Sequence, residues 1–458
     1  MRNIISLFLA VIFCCFIPIY LSFAQSLYDG LTAGNYTVGF QTRMIEDVSR
    51  NSWSGKERRM LQLSIWYPAK QKTETMIIRD YIALVNKVDD DITIPNDSVK
   101  KSRIEQFKQE RSRADSSKVL ALLSLPTRAC YNAQAASGRH PVILALSSGG
   151  APHSWHIMAE FLASYGFVVV SLPMPSDFTT LTSPAIDNAC VLDLQVAINN
   201  LSEVSFADIS SIGIIGYSAG AVRGSLLQMQ SSRIKAFISL EGSDGSSLYW
   251  ANFRSHPAFD ITKVTVPYTA VYGTPGTRSW FNGFHFYDEL PLDSYRLVEV
   301  PGLQHNAIGS WSVYNRFAPL NTTNTSNDKE AVEINTFLHT YTLHFMQAHL
   351  QNNYLSRQFI NQSALQNNLP EKRYILRRYT EKSLLTYSHS LQAFGKIDEA
   401  TAALRQCIEL YPHSREPKIL LAEILISRQQ KSEASLLIES ILQQDPSNNR
   451  ALLLKTKI

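Results

Sequence analysis

Cysteine is scarce in this chain, and zinc-binding patterns of Cys and His are missing. Five cysteines occur in 458 residues, and two of them, Cys14 and Cys15, lie in an apolar N-terminal run. The spacing of the Cys and His residues matches no structural zinc site. Cys407 lies in a helical repeat, which leaves Cys130 and Cys190 as a candidate disulfide in an exported protein, with three buried free thiols as an equal alternative.

An excess of charge of one sign is also missing. The formal net charge is only +4, which does not indicate a nucleic acid or an anionic membrane as partner. With 45% hydrophobic and 18% charged residues, the composition excludes collagen, extensive disorder and a protein with many membrane spans. The length allows a large core and more than one domain.

Long apolar runs are confined to the first residues. Arg2 is followed by an apolar stretch that ends in Ser-Phe-Ala at residue 24, with small residues at positions −3 and −1 before Gln25. This pattern predicts a cleaved signal peptide over residues 1–24 and an exported protein, periplasmic or secreted. An uncleaved membrane anchor is the alternative, because the run is nearly long enough to span a bilayer.

From residue 140 onwards, apolar strands alternate with helices. Typical strand segments are PVILALSSGG, FVVVSLP and SSIGIIGYSAG, and each precedes a segment with helical character. This alternation predicts a mostly parallel sheet with helices on both faces, an α/β domain over residues 25–350. Residues 71–139 are charged and largely helix-forming, and we expect a helical insertion that either covers the mouth of a pocket or decorates the surface.

The C-terminal residues repeat with a period of 34, as the spacing of Pro412 and Pro446 shows. This period is typical of the tetratricopeptide repeat and predicts a small all-α tail over residues 381–458, after a helical linker at 351–380. Two repeats are fewer than such arrays usually need. We therefore expect the α/β domain to cover one end and the helix at 449–458 to cover the other.

A serine lies between two glycines at the point where a predicted strand becomes a helix. The segment Gly216-Tyr217-Ser218-Ala219-Gly220 has the pattern G-x-S-x-G. A serine on such a sharp turn is lifted above the sheet edge, and the glycines are needed because the turn is crowded. The pattern predicts Ser218 as a catalytic nucleophile.

A serine nucleophile needs a base, which in this arrangement follows the last strand of the sheet. His305 lies there, in a loop opened by Pro301-Gly302. We predict His305 as the base. His153 and His156, at the start of the first helix of the alternating region, are rivals.

The base in turn needs a carboxylate that orients it. The segment KAFISLEGSDG ends a strand with Glu241, and Asp244 follows three residues later. Glu241 is favoured because it lies at the strand end, and Asp244 is the alternative acid.

Backbone amides are expected to complete the site as an oxyanion hole. Ala219 directly follows the nucleophile and offers one N–H group. The small residues Ser-Ser-Gly-Gly-Ala at 147–151 allow a second amide to approach a substrate carbonyl, although an ordinary turn would have the same composition.

These segments resemble the platelet-activating-factor acetylhydrolase and dienelactone-hydrolase-like branch of the α/β-hydrolases. The resemblance rests on LSIWYPA, PVILALSSGG, LASYGFVVVSLP, IGIIGYSAGA, AFISLEG and PGLQHN, in that family's order and spacing. It implies an α/β-hydrolase fold with Ser218, Glu241 and His305 as catalytic triad and Gly150 and Ala219 as oxyanion donors. In the acetylhydrolases the acid follows the strand directly after the nucleophile's helix, which agrees with the 23 residues from Ser218 to Glu241.

The resemblance covers roughly residues 34–345, except for the insertion, and it has two departures. Ser148 and Tyr217 stand where the family usually has histidine, before the first glycine of the oxyanion loop and before the nucleophile. Glu241 stands where the family more often has Asp. These changes bear on substrate preference more than on the class of reaction.

The sequence therefore predicts an exported serine hydrolase that cleaves carboxylic esters through an acyl-enzyme. This chemistry calls for no metal and no organic cofactor. The expected partners are a small-molecule or lipid ester and, for residues 381–458, another protein, whereas no nucleic acid is expected. The alternatives are a non-catalytic binding protein of the cell envelope that acts through its repeats, and a peptidase or amidase on the same fold.

Overall fold

A single mixed sheet forms the centre of the protein. The structure is a computed structural model that describes residues 25–52, 58–71, 73–84, 97–174, 183–274, 285–290, 295–321, 328–362, 367, 375–377, 381–393 and 395–458. The strands within these residues are β1 (Thr37–Asn51), β2 (Arg58–Ala69), β3 (Thr75–Ile77), β4 (Pro126–Tyr131), β5 (His140–Leu146), β6 (Val168–Ser171), β7 (Ala207–Tyr217), β8 (Ile234–Leu240), β9 (Tyr268–Thr274), β10 (Tyr295–Pro301) and β11 (Ile375–Arg377).

Helices cover the sheet and form the tail. In chain order they are α1 (Ile78–Ala83), α2 (Asp97–Glu110), α3 (Ser116–Leu123), α4 (Pro152–Ser164), α5 (Pro184–Asn200), α6 (Ala219–Gln228), α7 (Ser247–Arg254), α8 (His285–Asp288), α9 (Trp311–Phe317), α10 (Asp328–Leu350), α11 (Tyr354–Asn361), α12 (Glu381–Ala393), α13 (Ile397–Leu410), α14 (Glu416–Ser427), α15 (Lys431–Gln444) and α16 (Asn449–Lys455). Proline at the first position of α4 and α5 favours those helix starts, because its missing N–H has no partner there in any case.

The order of strands across the sheet is β11-β10-β9-β8-β7-β5-β6-β2-β1-β4-β3. Strands β5 to β10 pair with one another in parallel, whereas β1, β2, β3 and β11 add antiparallel pairs at the two sides. The predicted α/β architecture, a mostly parallel sheet with helices, is confirmed.

The sheet has a hydrophobic core on each face. One core combines inward-facing strand residues such as Ile143 and Ile215 with α4 and α10. The other combines Leu144 and Ile214 with α5 and α6. Both faces of the central strands are therefore buried, which explains their near-continuous apolar sequences.

The insertion at 71–139 differs from the predicted helical segment because it also contributes strands. Helices α2 and α3 form as expected, but β4 pairs in parallel with β1, and β3 pairs with β4. Short segments of this kind have no clear period of their own, and pairing with an existing sheet edge decides their conformation. Phe107 of α2 stacks on Trp311 of α9, so the helical part of the insertion packs beside the segment that follows His305.

The segment at 351–380 is also only partly helical. Helix α11 packs on α10, as the hydrogen bond from Ser356 Oγ to Gln347 Oε1 (2.9 Å) illustrates. Strand β11, however, pairs antiparallel with β10 and extends the sheet. The prediction of a helical linker was therefore wrong for residues 375–377, because an open strand edge supplied hydrogen-bond partners that the sequence does not show.

The C-terminal tail consists of antiparallel helix pairs that share a core. Residues such as Leu404, Leu425 and Ile438 are buried between them, and Ala451 and Leu454 of α16 cover one end. At the other end, Leu384 and Cys407 join the core that lies over α5 and α6. The two described ends of the tail are thus covered by the α/β domain and by α16, as the sequence suggested.

The three cysteines in the described residues are not paired with one another. Cys130, Cys190 and Cys407 are buried free thiols, so the candidate disulfide between Cys130 and Cys190 is absent. The predicted leader, residues 1–24, lies outside the described residues. Among the helices that are described, none is both long and apolar enough to cross a membrane.

Candidate active site

The carboxyl ends of neighbouring parallel strands bring the predicted site residues to one edge of the sheet. In the strand register, Tyr217 at the end of β7 lies opposite Leu240 at the end of β8, and Leu240 lies opposite Val271 of β9. The residues that directly follow β7 and β8 are Ser218 and Glu241. Because parallel strands end at the same edge, these two side chains can share one site.

Ser218 occupies a strained turn between β7 and α6. Its φ of 54° and ψ of −130° lie outside the regions that a serine ordinarily adopts. The flanking glycines are required by close contacts. A Cβ on Gly216 would lie 2.6 Å from Ala221 Cα, and a Cβ on Gly220 would lie 2.2 Å from the Leu146 carbonyl oxygen. The geometry is that of a nucleophile elbow.

His305 lies between Ser218 and Glu241. Its Nε2 is 3.2 Å from Ser218 Oγ, and its Nδ1 is 3.4 Å from Glu241 Oε2. The His305 side chain is 48% exposed, whereas the Glu241 side chain is fully buried. The three side chains therefore form a hydrogen-bonded row from solvent to interior, with the base in the middle.

The carboxylate of Glu241 is held from behind by the backbone. Its Oε1 accepts a hydrogen bond from Gly273 N, and its own N–H donates to the Val271 carbonyl at 2.7 Å. Glu241 also has a positive φ of 48°. The chain turns sharply after β8, and this turn aims the longer glutamate side chain at His305.

Asp244, the alternative acid, lies elsewhere. It is buried and accepts hydrogen bonds from Tyr287 Oη (2.8 Å), Ser239 Oγ (2.9 Å) and Tyr268 Oη. Burial raises the pKa of Asp244. None of these partners is His305. Asp244 is therefore part of a buried hydrogen-bond network with Ser239, Tyr268 and Tyr287, and it does not belong to the row of three side chains.

The loop that carries His305 has anchors that sequence reasoning missed. Tyr217 Oη donates to the His305 carbonyl oxygen at 2.8 Å, and the two rings are 5.1 Å apart. Burial raises the pKa of Tyr217, so its hydroxyl stays protonated and able to donate. Further along, Ser310 N donates to the Ser154 carbonyl at 2.8 Å. The available signal in the sequence was the tyrosine directly before Ser218, at a position where histidine was expected from the resemblance.

The two residues predicted as oxyanion donors, Gly150 and Ala219, come after neighbouring parallel strands, β5 and β7. Ala219 is the first residue of α6, where an N–H has no acceptor within the helix. Gly150 has a φ of 57°, and a Cβ there would lie 2.1 Å from the Leu172 carbonyl oxygen. Its loop is fixed by the hydrogen bond from Gly149 N to the Met174 carbonyl at 3.0 Å.

The two rival histidines have other partners. His156 is buried, with its Nδ1 3.3 Å from Glu160 Oε1, and its ring stacks on Tyr81. His153 packs edge-on against Trp311 at 5.0 Å. Neither of them makes a hydrogen bond to Ser218 within the part of the chain that the structure describes. His305 is thus the histidine that the fold brings to the serine.

Metal-ligating side chains do not converge at this edge. Across the described ranges there is no group of three or more His, Cys, Asp or Glu residues that could hold a metal ion.

The sheet order, the turn at Ser218 and the covering helices define the α/β-hydrolase fold. Among solved structures, the chain is similar to a ferulic acid esterase from Streptomyces cinnamoneus, with a TM-score of 0.52 and 17% sequence identity. The match covers 70% of this chain and 92% of that chain, and at this identity it shows the fold. The tetratricopeptide repeat family matches residues 391–458, which confirms the predicted repeats. A search of curated proteins found no match.

Proposed function

We propose that this protein is a serine hydrolase that cleaves carboxylic esters. The observation that carries the proposal is the row of Ser218, His305 and Glu241, with contacts of 3.2 Å and 3.4 Å, on a strained turn of an α/β-hydrolase fold. A nucleophile, a base and an orienting carboxylate in this order are what acyl transfer to serine needs.

The reaction follows from this arrangement. His305 Nε2 takes the Ser218 hydroxyl proton as Oγ attacks the ester carbonyl carbon. Glu241 accepts a hydrogen bond from Nδ1–H and stabilises the imidazolium that forms. The Ala219 and Gly150 N–H groups hold the negatively charged oxygen. The tetrahedral intermediate then expels the alcohol, which receives the proton from His305, and a water molecule releases the acid in the reverse sequence.

The position of the acid supports the resemblance to the acetylhydrolases, in which the acid follows the strand directly after the nucleophile's helix. Glu241 follows β8, the strand directly after the nucleophile's helix α6, and contacts His305, whereas the next strand, β9, contains no carboxylate. The ferulic acid esterase of similar fold is an ester-cleaving enzyme by its name, which adds support for esters over amides.

A serine-reactive probe and a substrate panel test the proposal. Wild-type protein should react with a fluorophosphonate and hydrolyse 4-nitrophenyl esters in preference to the matching anilides. Ser218→Ala should lose both activities while its circular dichroism spectrum is unchanged, because the turn accommodates a smaller side chain. Ser210→Ala, at an exposed serine, is the matched control and should keep both. Turnover of the Ser218→Ala variant near the wild-type rate would refute the assignment.

We also propose that the protein is exported and that its tail binds a protein partner. The leader pattern at 1–24 supports export, and N-terminal sequencing of the protein from the periplasmic fraction should begin at Gln25. The repeat match over 391–458 supports a binding role for the tail, since such repeats form extended interaction surfaces. Cross-linking in cells should then capture the partner with the full chain and lose it on truncation.

A further inference from the structure

One arginine of the insertion is buried without a hydrogen-bond partner. The Arg111 side chain is 0% exposed, and its Nε, Nη1 and Nη2 make no hydrogen bond. Burial lowers the pKa of Arg111 to about 10, so the group is still charged at neutral pH. Buried guanidinium groups are normally paired, because five donors and a positive charge removed from water are costly to leave unmatched.

Aromatic rings surround this guanidinium group. Its Cζ lies 4.1 Å from the ring centre of Phe107, 5.1 Å from that of Trp311 and 6.0 Å from that of Tyr314. The ring faces attract the cation, but they accept no conventional hydrogen bond from its N–H groups. The aromatic rings therefore stabilise a charged arginine, and its N–H groups remain available to an anionic partner.

A histidine with an unpaired ring nitrogen lies near this arginine. His153 packs edge-on against the ring of Trp311, the ring that Arg111 also contacts, with the two ring centres 5.0 Å apart, and its buried Nδ1 has no hydrogen-bond partner. Burial, together with the charges of His156, Arg111 and Arg103, lowers the pKa of His153 to about 3. Neither Arg103 nor Arg111 forms an ion pair with a carboxylate within the described ranges. The carboxylate whose charge acts on Arg111 is that of Glu110, the preceding residue of α2, and the two form no ion pair within the described ranges.

This cluster lies beside the candidate active site. His153 is in the first turn of α4, three residues after the predicted oxyanion donor Gly150. Trp311 begins α9, six residues after His305. The Tyr314 hydroxyl donates to the His153 carbonyl at 2.9 Å and joins the two helices. The segments that carry Gly150 and His305 are therefore the ones that hold His153 and Trp311 beside Arg111.

We propose that Arg111 and His153 form a subsite for an anionic group, a carboxylate or a phosphate, that the ester substrate carries. The inference rests on the proposed esterase function and names its substrate class. The planar guanidinium donates two parallel hydrogen bonds to such an oxyanion, and the aromatic walls exclude the water that would weaken them. The neutral imidazole of His153 makes one more hydrogen bond to the anionic group.

Matched pairs of esters test the subsite. The 4-nitrophenyl monoesters of succinic, adipic and octanedioic acid carry a terminal carboxylate, and the butanoate, hexanoate and octanoate are their neutral counterparts. We expect wild-type kcat/KM to favour the anionic ester by about tenfold or more at one chain length, the equivalent of one charge-assisted hydrogen bond. Arg111→Met, which keeps an unbranched apolar stem, should abolish this preference and leave turnover of the neutral ester within about threefold.

The control removes an equal charge from the same segment. Arg113 hydrogen-bonds the Asn321 carbonyl, and Arg113→Met should keep the preference for the anionic ester. Inorganic phosphate and succinate, each at constant ionic strength, are tested as competitive inhibitors of neutral-ester turnover by wild-type protein. The ion that competes identifies whether the natural group is a phosphate or a carboxylate.

Several results would overturn the subsite. These are no anionic preference at any chain length, no competition by either ion, or an equal loss of preference in Arg113→Met. If Arg111→Met does not fold, competition on the wild-type protein decides. Neutral esters that turn over without any such preference would refute the subsite alone. Absence of all turnover, together with absence of fluorophosphonate labelling, would refute the esterase proposal itself.

Discussion

At the scale of single residues, two carboxylates three positions apart have different surroundings. Glu241 contacts the base, whereas Asp244 is enclosed by tyrosine hydroxyls. In Glu241→Gln, the new amide would donate to His305 Nδ1 and leave a proton on Nε2, so the ring could no longer accept the serine proton. We expect kcat for ester hydrolysis to fall by about 10⁴-fold, as for a wrong tautomer in related triads, with little change in melting temperature.

Asp244→Asn is the matched comparison. An amide cannot accept from all the hydroxyl and N–H donors that face Asp244, so one buried group loses its partner. We expect the free energy of unfolding to fall by about 1–3 kcal/mol, with kcat nearly unchanged. A larger loss of kcat in Asp244→Asn than in Glu241→Gln would show that Asp244 is the acid.

Tyr217 acts on the base through its backbone. Tyr217→Phe removes the hydrogen bond to the His305 carbonyl and keeps the ring contact. We expect kcat and the rate of fluorophosphonate labelling to fall about fivefold, the equivalent of ~1 kcal/mol, with KM unchanged. Tyr165→Phe, which removes a similar bond to the Thr32 carbonyl far from the site, should change neither. A change in melting temperature without a change in kcat would indicate a purely structural role.

At the scale of elements, the first repeat helix is part of the α/β core. Helix α12 contacts α8, and Leu384 is buried in the same cluster as Phe286 and Tyr287. Leu384→Ala should lower the free energy of unfolding by about 2–4 kcal/mol, because it leaves a cavity between the two parts. Leu436→Ala, at a side chain that is 68% exposed, is the control and should have little effect. Urea unfolding measures both.

Truncation after residue 379 removes the whole docked tail. No residue of the described part of the tail makes a hydrogen bond to Ser218, His305 or Glu241, so turnover of a small soluble ester should persist. Truncation would expose the apolar surface of the α/β domain that Leu384 and Cys407 cover. We therefore expect lower solubility and a lower melting temperature. A truncated protein that stays folded but loses turnover would show that the tail shapes the active site.

At the scale of the whole molecule, buried histidines make stability depend on pH. Burial lowers the pKa of His153 to about 3 and those of His339 and His349 to about 4. A folded-state pKa below the unfolded value of about 6.5 stabilises the fold above that pH, and the contribution is lost as the pH falls. We expect the free energy of unfolding to fall as the pH is lowered from 7 to 4, by on the order of 1.4 kcal/mol for each unit of pKa shift.

A variant separates the contribution of a buried histidine to the pH dependence of stability from that of the buried carboxylates. Burial raises the pKa of Asp187 and Asp244, whose contributions have the opposite sign and are lost as the pH rises through their folded pKa values. His339→Gln can keep the hydrogen bond to the Asn335 carbonyl (2.8 Å) but does not titrate, so its stability should depend less on pH. Exposed His413→Gln should keep the wild-type slope. Equal slopes in all three proteins would contradict the prediction.

Local patterns in the sequence were sufficient to predict the central fold and the three side chains of the candidate active site. Apolar strands alternating with helices predicted the parallel sheet, because burial on both faces removes the polar alternation. The sequence around Ser218 predicted the turn, because only glycine fits the close contacts at Gly216 and Gly220. His305 and Glu241 followed from their places at strand ends, and the structure puts His305 within hydrogen-bond distance of the serine and Glu241 within hydrogen-bond distance of His305. The repeats followed from their 34-residue period.

Contacts between distant segments decided the rest. Strands β3, β4 and β11 are too short to have a period of their own, and the open edges of the sheet determined their pairing. The separation of Glu241 from Asp244 depended on the turn after β8, where a positive φ aims one side chain at the base. The enclosure of Arg111 by rings from α2 and α9 depended on the packing of the insertion. A sequence reports local propensity and burial, whereas the neighbours of a buried charge are known only once the chain is folded.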